Sequence, residues 1–348
     1  MSLSRWILLI LHRNRAVLTG LRAVVAVFLA CVMLVPLARA DVARSSLPSD
    51  LGKTYGFYLG QKLSIKRIQY FFPALTAEAI VAQSEFDLVF KASAENIEKQ
   101  LRAGLGPRWN EFSKQIVAKL ETSLATMDQA TAEAFIQEVC NRAKGRIESP
   151  VLETLLIYDP QFQAKPVAEF ARGFTQTYRT KGHPKAKGVD FQIQYPRSWR
   201  AKEGQRPNVI QLISSENGRG LENIVLMVRD LGLPPGYVVT NEELDEVFSS
   251  QGLRDLIPAE GTFISGKSVV IDRHKGGMVI SDQTVQRVDV TVFSRMLQFV
   301  TIYNGKMLFL QGMVGSKAND PAALQARFEK FQPLFMQIAN SLVIQDQY

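Results

Sequence analysis

The sequence predicts an α+β protein, with an N-terminal α-helical domain followed by an α/β/α sandwich whose sheet is mainly antiparallel. Three observations predict it. From Thr76 to Ile147 apolar residues recur at three and four, the period of a helix face. Val189, Phe191, Ile193 and Tyr195 then alternate with Asp190, Gln192 and Gln194, the period of a strand with one buried face. Asn304-Gly305 between two apolar runs is a hairpin signal, so the later strands pair antiparallel.

Residues 1–40 read as a signal peptide. They hold Arg5, Arg13, Arg15, Arg22 and Arg39 and no acid, an apolar run from Ala23 to Leu37, and Ala38-Arg39-Ala40 as a small-x-small site. Cleavage is expected between Ala40 and Asp41, and the mature chain is expected in the periplasm or secreted. The rival is a retained anchor, but the run falls short of the ~20 residues that span a bilayer. Phe28-Leu29-Ala30 before Cys31 is a poor lipidation signal.

The whole chain carries 41 basic and 33 acidic residues. Without the five leader arginines the net charge falls to +3. That small excess sets nucleic-acid binding aside. Cys140 is the only cysteine left, so no intramolecular disulfide is expected, and it reads as a small buried hydrophobe.

The helical domain is expected over residues 41–180. Asp41 to Asp50 is small and polar and reads as a flexible start. Thr76 caps a helix carrying Phe86, Phe90, Ala94, Ile97 and Leu101, which Gly104 and Gly106 end. Pro107 opens the next, with Trp109, Phe112, Ile116 and Leu120. Asp128 caps a third, Ser149-Pro150 starts a fourth, and Pro166 opens a fifth with Val167, Phe170, Phe174 and Tyr178 facing inward. Residues 181–188 hold two glycines, a proline and three lysines and read as a linker. His183 lies there with no visible acid partner.

The sandwich is expected over residues 189–344. Pro196 ends the first ladder, and Trp199 returns to cover it. Strands follow at Asn208–Ser215 and Asn223–Val228, joined by the Asn217–Gly220 turn. Thr240 and Glu243 form a capping box before Leu244, Val247 and Phe248. Gly276-Gly277 and Asn304-Gly305 are expected hairpin turns. Asp320-Pro321 starts a last helix with Leu324, Phe328, Phe331, Phe335 and Ile338, which Pro333 kinks or breaks.

A strand ending in Tyr195-Pro196-x-x-Trp199, two apolar strands, a helix, a meander and a final helix ending in Asn340-Ser341-Leu342 resemble the PsbP-like and DcrB-like family over residues 188–344. The resemblance implies an antiparallel sheet with helices on both faces, in accessory, binding or assembly proteins of lumenal and envelope compartments. None of that family's ligand residues transfers to a position here.

The sequence points to no catalytic, cofactor-binding or metal-binding residue. His183 and His274 stand far apart, and Asp272-Arg273-His274 reads as a strand end or turn. The expected function is therefore that of an exported, non-enzymatic envelope accessory protein acting by contact with another envelope protein. One alternative is a carrier of an apolar small molecule or lipid, with Tyr55, Phe57, Tyr58, Phe71, Phe72, Phe86 and Phe90 lining its pocket. The other is an enzyme whose site is assembled from distant residues.

Overall fold

A computed structural model describes residues 40–123, 127–234, 237–286, 291–316 and 319–348. Apart from Ala40, the expected targeting segment lies outside the described residues. Two compact units are present. Among the described residues, one holds 40–175 with Pro196–Trp199; the other holds Gln176–Tyr195 and those from Arg200 to Tyr348.

The first unit is helical. Its long helices are α1 (Ala40–Phe71), α2 (Thr76–Leu105), α3 (Trp109–Ser123) and α4 (Gln129–Ala143). Three short ones follow: α5 (Val151–Ile157), α6 (Pro160–Ala164) and α7 (Val167–Ala171). Asp128 caps α4 by accepting from Thr131 N at 2.8 Å. Asp159 caps α6, accepting from Gln161 N at 2.8 Å. The inner face of α2 (Ala79, Ala82, Phe86, Phe90, Ala94, Ile97 and Leu101) is buried. Cys140 packs half-buried against this core.

Three expectations fail here, each for a local reason. Asp41 to Asp50 is helical, because each residue added to an existing helix gains one hydrogen bond, whatever its modest propensity. Thr76 is the first residue of α2 and makes no cap. A 3-10 turn, Pro73–Leu75, runs into the helix, and Thr76 N donates to Pro73 O. The fifth helix stops at Ala171, and Gly173 takes a φ of 81°. Tyr178 then lies on a strand, β1 (Thr175–Arg179), where Thr-x-Thr-Tyr suits a pleated surface.

The second unit holds two sheets. β1, β2 (Phe191–Pro196) and β10 (Val343–Ile344) form a small one, in the order β1-β2-β10. The alternation of β2 holds, with Phe191, Ile193 and Tyr195 buried. It is the central strand of this small sheet, however, and not part of the large one.

The large sheet is fully antiparallel. Its strands are β3 (Arg200–Glu203), β4 (Val209–Ser214), β5 (Asn223–Asp230), β6 (Gly261–Ile271), β7 (His274–Gln286), β8 (Thr291–Tyr303) and β9 (Lys306–Ser316). Their spatial order is β3-β4-β5-β9-β8-β7-β6. Helices α8 (Asn241–Val247), with the expected capping box, and α9 (Ser250–Asp255) lie on one face. There Phe248, Leu253 and Leu256 pack on Val279, Val300 and Phe309. On the other face lies α10 (Pro321–Asn340), where Phe335 sits so close that a Cβ on Gly312 would meet its ring at 2.4 Å. Helix α10 runs through Pro333 unbroken.

Asn304-Gly305 makes its hairpin, with φ of 48° and 69° and Tyr303 paired to Lys306. Gly276-Gly277 does not. Both glycines lie inside β7, and the turn falls at Asp272-Arg273, with φ of 42° and 70°. The glycines serve close approach instead: a Cβ on Gly276 would meet Val300 O at 2.5 Å, and one on Gly277 would meet Leu253 Cδ2 at 2.2 Å.

Candidate functional site

Helix α2 carries a second apolar stripe on its outer side. Ala77, Val81 and Leu88, with the polar Ser84 among them, follow steps of four, three and four, and all four are exposed. Leu88 is 84% exposed and Val81 56%. Ile80 flanks them at 50%. At the adjoining end of α1, Tyr70 and Phe71 are 78% and 59% exposed, and their rings meet edge to face at 4.9 Å. Single exposed apolar residues are ordinary, but several at helical spacing on one face mark a candidate contact surface.

The ridge stands on a rigid base. Phe86 lies one step around α2 from Glu85 on the buried side and touches three rings: Phe90 at 5.2 Å, Tyr58 at 6.3 Å and Phe57 at 6.4 Å. Phe90 meets Phe174 at 5.9 Å. Gln83 Nε2 donates to Asp87 at 2.7 Å, and the Tyr58 hydroxyl reaches the same carboxylate at 3.4 Å. Burial first, and Asp87 second, push the Tyr58 hydroxyl pKa upward. Four of the seven rings expected to line a pocket, Phe57, Tyr58, Phe86 and Phe90, thus pack on one another, Tyr55 packs on Trp109, and Phe71 is exposed.

The Tyr195-Pro196-x-x-Trp199 signature has its own role. Pro196–Trp199 belongs to the helical unit. Glu169 holds it with two hydrogen bonds, from Ser198 N at 2.8 Å and Ser198 Oγ at 2.6 Å. Arg197 Nε lies 3.4 Å from Glu153 Oε1. Glu169 is buried, and that burial pushes its carboxyl up to about 7. The Ser198 bonds oppose the rise, and Asp159 adds to it. This arrangement anchors a turn. Among the described residues no group of three or more His, Cys, Asp or Glu could hold a metal ion.

The two histidines among the described residues are also accounted for. His183 Nδ1 accepts from Lys185 N at 3.2 Å, and its ring lies 4.0 Å from Glu203, so it has an acid neighbour after all. The sequence hid this because His183 lies in a turn and Glu203 at the end of β3. His274 meets Gln347 at 2.8 Å, while Asp272 accepts from Ile344 N, Gln347 Nε2 and the Tyr348 hydroxyl at 2.6–2.8 Å. Asp272-Arg273-His274 is therefore a turn that clasps the C-terminus. Against α10 and β2 lies a void of about 10 Å³, room for one water.

Of the ridge residues, sequence reasoning singled out Phe71 alone, and as the lining of a pocket. A signal was there: Val81 and Leu88 are large apolar residues seven apart, off the period of the Phe86–Leu101 stripe.

No protein-family model matches the chain, and no curated protein does. The resemblance to the PsbP-like family is thus not confirmed. Among solved structures, LpqN of Mycobacterium tuberculosis, described as involved in cell envelope biogenesis, is similar at 13% identity and a TM-score of 0.29. The match covers 51% of this chain and 95% of that one. A protein of Bacteroides thetaiotaomicron is similar at 12% identity and a TM-score of 0.26, over 44% of this chain and 45% of that one. Among the described residues no helix is long and apolar enough to cross a membrane.

Proposed function

We propose that this chain is an exported accessory protein of the cell envelope, working by contact with another protein through the outer ridge of α2. The observation that carries the proposal is the exposure of Leu88, Val81, Ile80, Tyr70 and Phe71 on one helical hairpin with a tightly packed core. Burying a Leu or Phe side chain gains about 1.5–3 kcal/mol. Five of them are enough for the core of a modest interface, with the polar rim around it. The leader of residues 1–40 supports export, with cleavage after Ala40.

Site-specific photo-crosslinking in living cells tests this. A photoreactive residue replacing Leu88 is expected to give one dominant protein adduct, absent when the same residue replaces Glu138, exposed on α4. Equal adducts from both positions, or none from position 88, would refute contact through the ridge.

A further inference from the structure

The face of the large sheet that carries α8 and α9 also carries a band of buried polar side chains. Side chains paired across an antiparallel ladder share a face. Val300 pairs with Gly277, where a Cβ would meet Leu253 and Phe248, so Val300 lies on the face of α8 and α9. Gln298, two residues earlier on β8, lies on the same face, and Gln311 pairs with it from β9. On β7, Val279 pairs with Gln298, and Ser281 and Gln283 follow it at steps of two. All four polar residues are buried, from 0% exposure at Gln298 to 7% at Gln283.

The band is short of partners. Gln311 Nε2 donates to Gln298 Oε1 at 2.5 Å. Gln298 Nε2, Gln311 Oε1, Ser281 Oγ and Gln283 Nε2 make no hydrogen bond among the described residues. The opposite face differs. There Arg295 Nε donates to Asp282 at 2.7 Å, and Thr301 Oγ1 donates to Lys275 O at 2.8 Å. A buried polar atom left unpaired costs stability, and folded chains keep few of them. Arg229 Nη1 is also unpaired on this face, but Arg229 stands about 13 Å along β5 from Val225, the residue beside Gln311.

The glutamine pair sets what can answer it. Whichever way the two carboxamides join, one amino group and one carbonyl oxygen stay free. A carboxylate offers no donor for that carbonyl, and burying its charge beside four uncharged side chains is costly. An amide edge, with its donor beside its acceptor, answers both. Met296 and Met313, buried and paired next to the glutamines, give an adaptable apolar floor. Ser281, diagonal to Gln298 at about 7–8 Å, lies within the span of a two-ring molecule.

We propose that this face of the sheet binds a neutral small molecule with an apolar body and an amide-type edge, a carboxamide or a lactam, held by Gln298 and Gln311. The face shares no residue with the ridge of α2, so this ligand is separate from the protein contact.

Equilibrium dialysis of the full chain against 2-naphthamide and 2-naphthoate tests the proposal, with urea unfolding beside it. The amide is expected to bind at least about tenfold more tightly than the carboxylate. Gln298→Leu with Gln311→Leu is expected to remove that preference. The same double variant is expected to unfold at no lower urea than the parent, because an apolar pair replaces the unpaired atoms. Ser281→Ala, a smaller change, is expected to weaken the amide severalfold.

Equal binding of the two probes, binding of neither, a preference that survives in the double variant, or amide binding that Ser281→Ala leaves unchanged would overturn the proposal. A double variant that unfolds at clearly lower urea would overturn it too, because buried water would then satisfy the glutamines in the service of folding.

Discussion

The two faces of α2 are built from similar residues and meet opposite fates. Phe86 and Phe90 are at most 1% exposed, whereas Val81 and Leu88 are 56% and 84% exposed. Hydrophobicity does not separate them. Position around the helix does: the inner residues follow the period that faces α1 and α4, and the outer ones follow a second period that faces nothing among the described residues. An apolar side chain that its own fold leaves uncovered contributes little to folding there, and only a group of them on one face points to a contact.

The sharpest way to break this comparison is on the inner face. Phe86→Ala removes a ring that touches three others, and it is expected to cost about 3–5 kcal/mol in urea unfolding. A loss below about 1 kcal/mol would mean that the inner stripe is not the core. The sheet unit offers the same kind of closed face. Gly276→Ala forces a Cβ against Val300 O and Ile271 and is expected to cost about 1–3 kcal/mol. Unchanged stability would return Gly276-Gly277 to turn chemistry.

A smaller effect concerns the buried anchor of Pro196–Trp199. The folded chain raises the Glu169 carboxyl from 4.5 to about 7, so it binds that proton more tightly than the unfolded chain does. The linked stability is therefore fully present below about 4.5 and is lost as pH climbs through 7. Glu169→Gln is expected to lack this loss, so its stability relative to the parent improves between pH 5 and pH 8. Parallel pH profiles of the two chains would show that burial does not hold the proton. Smallest of all for stability is Leu88→Lys, expected within about 0.5 kcal/mol of the parent because its site is open to water.

Much of the fold was legible in short patterns. The alternation in β2, the Asp128 cap, the Thr240–Glu243 box and the Asn304-Gly305 hairpin each tie one local rule to one local geometry. The failures came where one residue type answers to two rules. Glycine marks turns and also close approach, and at Gly276-Gly277 the second applied. Phe174 and Tyr178 keep a helical spacing, but Gly173 between Ala171 and Thr175 switches the chain to a strand. The ridge stayed hidden for a different reason. Sequence shows that Val81 and Leu88 are apolar, but only the packing shows that the core closes without them.

The most direct test of contact through the ridge is native mass spectrometry of the chain gently released from its own cells, parent beside Leu88→Lys. The account predicts that the parent carries an added polypeptide different from a second copy, and that Leu88→Lys, equally stable, emerges bare. A bare parent, or the same added mass on both chains, would contradict it.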